Sequence, residues 1–491
     1  MSRLTVLLPH STLPSFDSTL RQFTSSPLVA GVLVAHDGSA NIHQPKCEGL
    51  KAVSLTSGAT INAAIKKAKG DYLLMVTQSH ELVMGPWALE RLIDVADQTG
   101  AGLVYSDFTE VKNGQRSEHP LIDYHVGSLR DGFDFGAMLL FSMKAVRAAV
   151  KKHGAIAKVE RAGLYDLRLK VSVANQVFHL QEPLYTKVES DLRKTGEKLF
   201  DYVDPRNRSV QIEMERVVTQ HLKHIGAYLK PRFAKVPKDP ASYPVEASVV
   251  IPVRNRERTV ADAVNSVLKQ KASFPFNVII VDNHSTDRTT SILADLAGRD
   301  PRVVHIVPER QDLAIGGCWN TAVLSPQCGR FAVQLDSDDL YSDEHTLRKI
   351  VEAFADPNVA MVIGSYRLVN MQLEEIPPGL IDHKEWSPDN GRNNALRING
   401  LGAPRAFRTG LLRQILLPNT SYGEDYAVAL RLSRDYQIGR IYESIYLCRR
   451  WEGNTDAALS LEKANRHDLY KDRIRTIEIL ARQRKNKRSG R

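Results

Sequence analysis

Short apolar runs alternate along this chain with stretches whose apolar residues recur every three or four positions, the pattern of a sheet with helices packed on it. In the first half, Leu4–Leu8, Val29–Val34, Tyr72–Val76 and Gly102–Tyr105 read as strands, and Ser15–Phe23, Gly58–Ala68 and Ala88–Gln98 as helices. The rhythm breaks between about 192 and 243. Asp204-Pro-Arg-Asn is a helix start, and Val210, Met214, Val217, Val218 and Leu222 fall at helical spacing, which predicts one long helix over Arg208–Leu229. Lys230–Pro244, rich in proline and lysine, marks a linker. From Val245 the alternation restarts, with strands at Ala247–Val253, Val278–Val281, Val303–Val307 and Phe331–Leu335. Helices are predicted over Val260–Gln270, Thr290–Leu296, Gly316–Val323 and Glu344–Phe354.

The halves repeat each other in order. Leu4-Thr-Val-Leu-Leu-Pro9 matches Ala247-Ser-Val-Val-Ile-Pro252, and Val32–Ser39, with its Asp37, matches Val278–Ser285. Ser57–Ala64 matches Ile315–Ala322, and Gly70–Glu81 matches Gly329–Leu340. Where the second half has Asp336-Ser337-Asp338-Asp339, the first has Thr77-Gln78-Ser79-His80-Glu81. The adjacent acids are gone from the first copy, so the fold itself does not demand them.

Composition narrows the class without naming a chemistry. A hydrophobic content of 43% and a charged content of 25% describe an ordinary globular protein. No apolar run is long enough to span a bilayer, and the N-terminal run is too short for a signal peptide. Cys47, Cys318, Cys328 and Cys448 form no CxxC pair and read as reduced thiols, which predicts a cytoplasmic location. The net charge of +10 is concentrated in the tail Arg482–Arg491, expected to be disordered and at most weakly drawn to a membrane surface or polyanionic glycan. No nucleic-acid partner is expected.

Candidate chemistry sits at the ends of the second-half strands. Phe331–Leu335 delivers three carboxylates, Asp336, Asp338 and Asp339, to the edge where α/β sheets keep their crevices. Oxygen donors so spaced suit a hard cation, although an acidic turn before a helix looks the same. Asp282 also ends a strand, the pair Gly316-Gly317 lets a ligand approach a helix start, and Glu424-Asp425 precede a helical run. Carboxylates there serve either the helix dipole or proton transfer.

Ala247–Asn255, Ile280–Asp287 and Asp336-Ser-Asp338, in that order, resemble the family 2 glycosyltransferases of GT-A fold over residues 246 to about 455. The first half resembles the same fold more weakly. The resemblance implies an α/β architecture of two tandem GT-A (Rossmann-like) domains joined by a helical linker. Residues 1–190 would be a degenerate copy without the DxD motif, 191–244 the helix and linker, 245–460 the catalytic domain, and 461–491 a helix and basic tail. It implies transfer of a sugar from a nucleotide-diphosphate sugar, UDP-sugar favoured, to an acceptor hydroxyl, with inversion, in glycan or glycoconjugate synthesis. Mn²⁺ or Mg²⁺ would be held by Asp338 and Asp336. Pro252, Arg254, Asn255, Asp282, Gly316, Gly317, Asn320, Ser337, Arg449 and Arg450 would meet the donor, with Asp282 on the base. Asp425 would be the catalytic base with Glu424 second, and Gly402, Arg405 and Trp386 would meet the acceptor. Trp451 stands where many members carry a histidine, so this loop is not expected to add a metal ligand. In the first half, Gly163-Leu-Tyr-Asp166 keeps one acid of the base motif, and no turnover is expected there. That half is left as an acceptor platform or a homodimer interface. Two other readings stay open: a non-catalytic sugar- or protein-binding scaffold, and a nucleotidyltransferase, which the glycine-free Arg254–Arg258 argues against.

Overall fold

The computed structural model describes residues 3–38, 42, 44–52, 54–188, 203–454 and 457–488. Ser39 of the repeat, 191–202 of the expected linker and 489–491 of the tail lie outside them. The chain divides into two compact units. The first comprises Met1–Lys194, Ser209–Tyr228 and Ser460–Arg491, and the second Thr195–Arg208 and Leu229–Leu459.

The second unit is built on a nine-stranded sheet. Its spatial order is Val303–Ile306, Phe276–Asp282, Ala247–Val253, Phe331–Gln334, Arg405–Arg408, Val359–Val369, Gln437–Arg449 and Leu340–Tyr341, with Glu375–Ile381 paired to Val359–Val369. The first four strands are parallel, and their near-continuous Val and Ile content follows from burial on both faces. Val253 pairs with Asp282 and Val250 with Gln334, so all three chains leave the sheet at one edge. Arg405–Arg408 runs antiparallel to Phe331–Gln334 and therefore begins where its neighbour ends. Gln437–Arg449, parallel to Val359–Val369, brings Arg449 to the same edge.

The first unit holds a seven-stranded sheet in the order Cys47–Lys51, Val29–His36, Leu4–Pro9, Tyr72–Val76, Met138–Ser142, Leu103–Ser106 and Val177–Leu180. Order and strand directions repeat those of the second unit from Val303–Ile306 to Gln437–Arg449, including the antiparallel fifth strand. A four-stranded sheet of Leu82–Met84, Tyr185–Val188, Phe108–Lys112 and Gln115–His119 completes it. The register keeps the block alignment read from sequence but separates Asp37 from Asp282, with which it had been compared. Pro9 pairs with Ala35 as Pro252 pairs with Val281, so the counterpart of Asp282 is His36, and Asp37 corresponds to Asn283.

Two expectations about the connecting segments change. The helix spans Arg208–His224 and stops before Gly226, whose φ of +72° ends it. It is part of the first unit rather than a free linker: Val217, Val218 and Leu222 are buried, and the Glu213 carboxylate accepts from the N–H groups of Glu160, Arg161 and Ala162 at 2.7, 2.8 and 3.2 Å. The basic tail is helical as far as Arg488, in a helix that starts at Leu461. Arg482 is fully buried against Glu478 at 2.7 Å, Gln483 donates to the Ile225 carbonyl at 2.7 Å, and Asn486 donates to the Gly226 and Tyr228 carbonyls. Disorder was the expectation from charge density alone; partners far away in the sequence overturn it for 482–488.

Candidate active site

Three motifs that are far apart in the chain meet at the carboxyl edge of the second unit's sheet. Asp336 follows the strand Phe331–Gln334; its N–H donates to the Tyr446 hydroxyl at 3.1 Å, and its Oδ1 accepts from the Gln334 amide at 2.8 Å. Ser337 and Asp339 are buried. Asp339 Oδ1 accepts from the Arg449 N–H at 2.8 Å, which makes Asp339 the brace between the acidic turn and the last strand. Burial, then the charges of Asp338 and Asp336, pushes the Asp339 carboxyl well above the usual range. Burial likewise raises Asp336, against the opposing pull of Arg405 and the Gln334 hydrogen bond.

Asp338 is held by side chains from two loops. Its Oδ2 accepts from Trp451 Nε1 at 3.4 Å and Asn454 Nδ2 at 3.1 Å, and Arg256 Nε lies 3.8 Å away. Trp451, at the position compared with a histidine, therefore presents an N–H donor to the acid. Arg449 sits behind this turn, 2% exposed: Nε donates to the Asp338 carbonyl and Nη1 to Asp262 at 3.0 Å, while Nη2 is buried with no hydrogen-bond partner. Arg450 N–H is spent on the Val369 carbonyl.

The helix Glu424–Ser433 starts after Gly423, whose φ is +80°. Asp425 Oδ1 accepts from the Tyr426 N–H at 2.6 Å, and Oδ2 pairs with Arg405 Nη2 at 2.9 Å. Burial alone would lower the Arg405 pKa, but the charges of Asp425, Asp336 and Glu424 outweigh it and raise it. Arg405 is thus the cation around which the strand-end acid and the helix-start acids are gathered. It was expected to meet the acceptor; the anion it holds in this structure is Asp425.

Several residues expected to touch the donor make scaffold contacts. Asp282 has no exposed surface; its oxygens accept from the Ser285 N–H at 3.0 Å and the Thr290 hydroxyl at 2.5 Å. Burial would raise its pKa, but those hydrogen bonds hold it below the usual range. It organises the loop with both carboxylate oxygens. The neighbouring Asn283 is the residue that sequence reasoning missed: its amide N–H donates to the Leu313 carbonyl at 2.7 Å, and its Oδ1 is buried with no partner. Arg256 was missed as well, since only the fold brings it to Asp338. Asn255, at φ +54°, accepts from the Thr286 N–H at 2.7 Å and donates its own N–H to Ser285 Oγ at 2.9 Å, tying two strand ends together. Arg254 is exposed, and Pro252 lies in the strand opposite Val281.

Gly316, Gly317 and Asn320 also change role. A Cβ at Gly316 would stand 1.8 Å from the Pro418 carbonyl oxygen, and one at Gly317 2.4 Å from Asn419 Oδ1. Asn320 donates to the Leu417 carbonyl and accepts from the Leu417 N–H, both at 2.8 Å. The first unit repeats this clamp: a Cβ at Gly58 would meet the Ala157 oxygen at 1.8 Å, and Asn62 bonds both backbone groups of Ile156 at 2.9 and 3.0 Å. These residues recur because the helix must press on the opposing chain. Trp386, expected to stack on an acceptor, is buried against Gly391. Gly402, at φ +67° and within 3.1 Å of Ile363 through its would-be Cβ, is required by the turn.

The clamp also fixes the comparison of the two base motifs. Helices Gly163–Ser172 and Glu424–Ser433 each carry a tyrosine at their third position, and Tyr165 and Tyr426 each donate their hydroxyl to a backbone carbonyl, of Leu129 and Ala395. Gly163 and Leu164 then stand where the second unit has Glu424 and Asp425. Asp166 lies one turn position further on, buried, accepting from the Ala157 N–H at 2.8 Å and paired with Lys170 at 2.6 Å. It is not the remnant of the base.

As a donor set, Asp336 and Asp338 offer hard oxygens two residues apart whose charge is poorly solvated, chemistry that fits Mg²⁺ or Mn²⁺. Among the described residues, no group of three His, Cys, Asp or Glu side chains surrounds a common point.

Acids and an arginine gathered at the carboxyl ends of a parallel sheet occupy the edge where α/β folds place their ligands. The second unit contains a glycosyl transferase family 2 domain: the family model matches residues 248–416. The chain is 28% identical over 171 residues to the poly(ribitol-phosphate) beta-N-acetylglucosaminyltransferase TarS of Staphylococcus aureus, covering 34% of this chain and 28% of TarS. It is 29% identical over 199 residues to the UDP-Glc:alpha-D-GlcNAc-diphosphoundecaprenol beta-1,3-glucosyltransferase WfgD of Escherichia coli, covering 40% of this chain and 72% of that protein. Against the crystal structure of S. aureus TarS 1-349 in complex with UDP, the TM-score is 0.37 at 23% identity, over 48% of this chain and 65% of that one.

Proposed function

We propose that the second unit transfers a sugar from a nucleotide-diphosphate sugar, a UDP-sugar by preference, to a hydroxyl of a glycan acceptor with inversion. The observation that carries this reading is the gathering of Asp336, Glu424 and Asp425 around Arg405 at one sheet edge, with Asp338 on the same acidic turn as Asp336. Asp425 takes the acceptor proton as the hydroxyl oxygen attacks, and Arg405 holds that carboxylate in place. Glu424, on the same helix start, is second in line. Asp338 and Asp336 are the residues that would hold Mn²⁺ or Mg²⁺, which when bound offsets the charge of the leaving diphosphate. The unused Arg449 Nη2 is a donor for phosphate oxygens, and the unused Asn283 Oδ1 an acceptor for a base N–H. Names of relatives support the donor class: WfgD uses UDP-Glc, and both TarS and WfgD make beta linkages. The first unit, with Gly163 and Leu164 in place of the acids, is assigned no turnover and is free to serve as an acceptor platform.

The test is a UDP titration of the full chain by calorimetry, with and without Mn²⁺, repeated on Asp338→Ala. Metal-dependent binding that the substitution abolishes is the expected result. No UDP binding, or binding that ignores both the metal and the substitution, would overturn the assignment.

A further inference from the structure

The helix Leu461–Arg488 buries one face and leaves the other without a packing partner among the described residues. Ile474, Arg475, Ile479 and Arg482 point into the first unit. On the opposite side, Arg466, Arg473, Ile477, Leu480, Arg484, Lys487 and Arg488 fall within a narrow stripe at helical spacing. Ile477 is 67% exposed and Leu480 47% exposed, which makes them the apolar centre of this stripe. Arg466 is paired with Glu462 at the start of the helix. Among the described residues, no acid pairs with Arg473, Arg484, Lys487 or Arg488. The one acid between Arg473 and Arg488 is Glu478, and it is buried against Arg482.

Two exposed aliphatic side chains framed by unpaired cations on a rigid helix make a surface with two complementary demands. The aliphatic pair is best placed in a medium less polar than water, and the cations around it are best placed against fixed negative charge. A soluble polyanion meets only the second demand, whereas an anionic bilayer surface meets both. No helix among the described residues is long and apolar enough to cross a membrane, so such contact would be peripheral. We propose that this stripe docks the protein on an anionic lipid surface, with Ile477 and Leu480 entering the headgroup boundary and Arg473, Arg484, Lys487 and Arg488 meeting lipid phosphates. The stripe lies on the first unit, so this proposal stands whether or not the second unit is a transferase.

Co-sedimentation of the full chain with phosphatidylglycerol-rich vesicles and with pure phosphatidylcholine vesicles tests it. The anionic vesicles should retain the protein, the neutral ones should not, and added salt should release it. A cation at such a surface is worth about a factor of five in binding. Arg484→Glu with Lys487→Glu should therefore weaken vesicle binding by about 25-fold or more, and Ile477→Ser with Leu480→Ser by about tenfold. These side chains are exposed, so circular dichroism and thermal unfolding should stay as in the parent protein. Ile477→Trp adds a direct readout, a blue shift of its fluorescence on anionic vesicles only. Absence of vesicle binding, binding that both double substitutions leave unchanged, or retention on heparin without vesicle capture would each overturn the proposal.

Discussion

Gly316→Ala and Gly58→Ala should destabilise their respective units by similar amounts, and neither should act through a ligand. A Cβ at either position would stand 1.8 Å from a carbonyl oxygen, where ordinary contact begins near 3.4 Å. The facing backbone must therefore retreat by about 1.6 Å. At Gly316 that retreat pulls on its own N–H bond to the Thr420 carbonyl, 3.0 Å, and on the two bonds of Asn320 to Leu417. At Gly58 it pulls on the N–H bond to the Val159 carbonyl, 2.9 Å, and on the two bonds of Asn62 to Ile156. Overpacking costs about 1–3 kcal/mol, and one weakened buried hydrogen bond adds about 1 kcal/mol. The helix gains at most about 1 kcal/mol from alanine, which leaves a net loss of roughly 1–3 kcal/mol in each unit. Urea unfolding of the full chain gives the size of the loss, and hydrogen exchange read by peptide shows which unit opened. If Gly58→Ala changed nothing while Gly316→Ala weakened only UDP binding, the glycine would be a ligand contact and the packing argument would be wrong.

Asp425→Asn should leave UDP affinity intact and lower kcat by about 10²–10⁴-fold; loss of UDP binding instead would mark Asp425 as structural. Arg405→Gln leaves a partly buried Asp425 without its cation and should cost about 2–3 kcal/mol of stability in chemical denaturation, less than a fully buried pair because Asp425 keeps some solvent contact. An unchanged midpoint would refute the role of Arg405 as the organising cation. His119 lies between Asp134 at 3.3 Å and Glu110 at 3.5 Å; burial pulls its pKa down, but the two acids outweigh it and raise it to about 9. The first unit should therefore hold this stabilisation fully below pH 6.5 and lose it as pH rises through about 9. Urea midpoints across that window should fall for the parent protein and stay flatter for His119→Gln; parallel slopes would refute the pairing.

The strands, the repeat and the acidic turn were legible because each is local: a run of Val and Ile, a matched order of blocks, and Asp336-Ser-Asp338 at the end of a strand. Ligand and scaffold roles were harder to separate, since a glycine needed for close approach looks the same whichever neighbour approaches. Gly316 and Asn320 were read as donor contacts, and only the matching geometry at Gly58 and Asn62 gives them to the fold. Asp282 misled for a related reason, because an acid at a strand end serves its own turn as readily as a base. Arg256 and Asn283 carried no signal of their own: Arg256 meets Asp338 only after folding, and the free oxygen of Asn283 depends on its amide being spent on Leu313. Asp166 was mismatched because a nearby acid in sequence outweighed a register that only the bonded tyrosines Tyr165 and Tyr426 reveal.

The first unit is assembled from three separate stretches, the last beginning at Ser460, whereas the second is almost wholly contained between Leu229 and Leu459. A chain emerging from the ribosome therefore finishes the later-numbered unit before the earlier one can close. Until Asp472, Arg475 and Arg482 arrive, Ser128 lacks its 2.8 Å partner Asp472, and the helix Arg208–His224 lacks the tail contacts at Ile225 and Gly226. The first unit would wait half-built, its early strands exposed, until the stretch from Ser460 onward has been made. Premature termination just before Ser460 should then spare the unit carrying Asp338 and Asp425 and cripple the one made first.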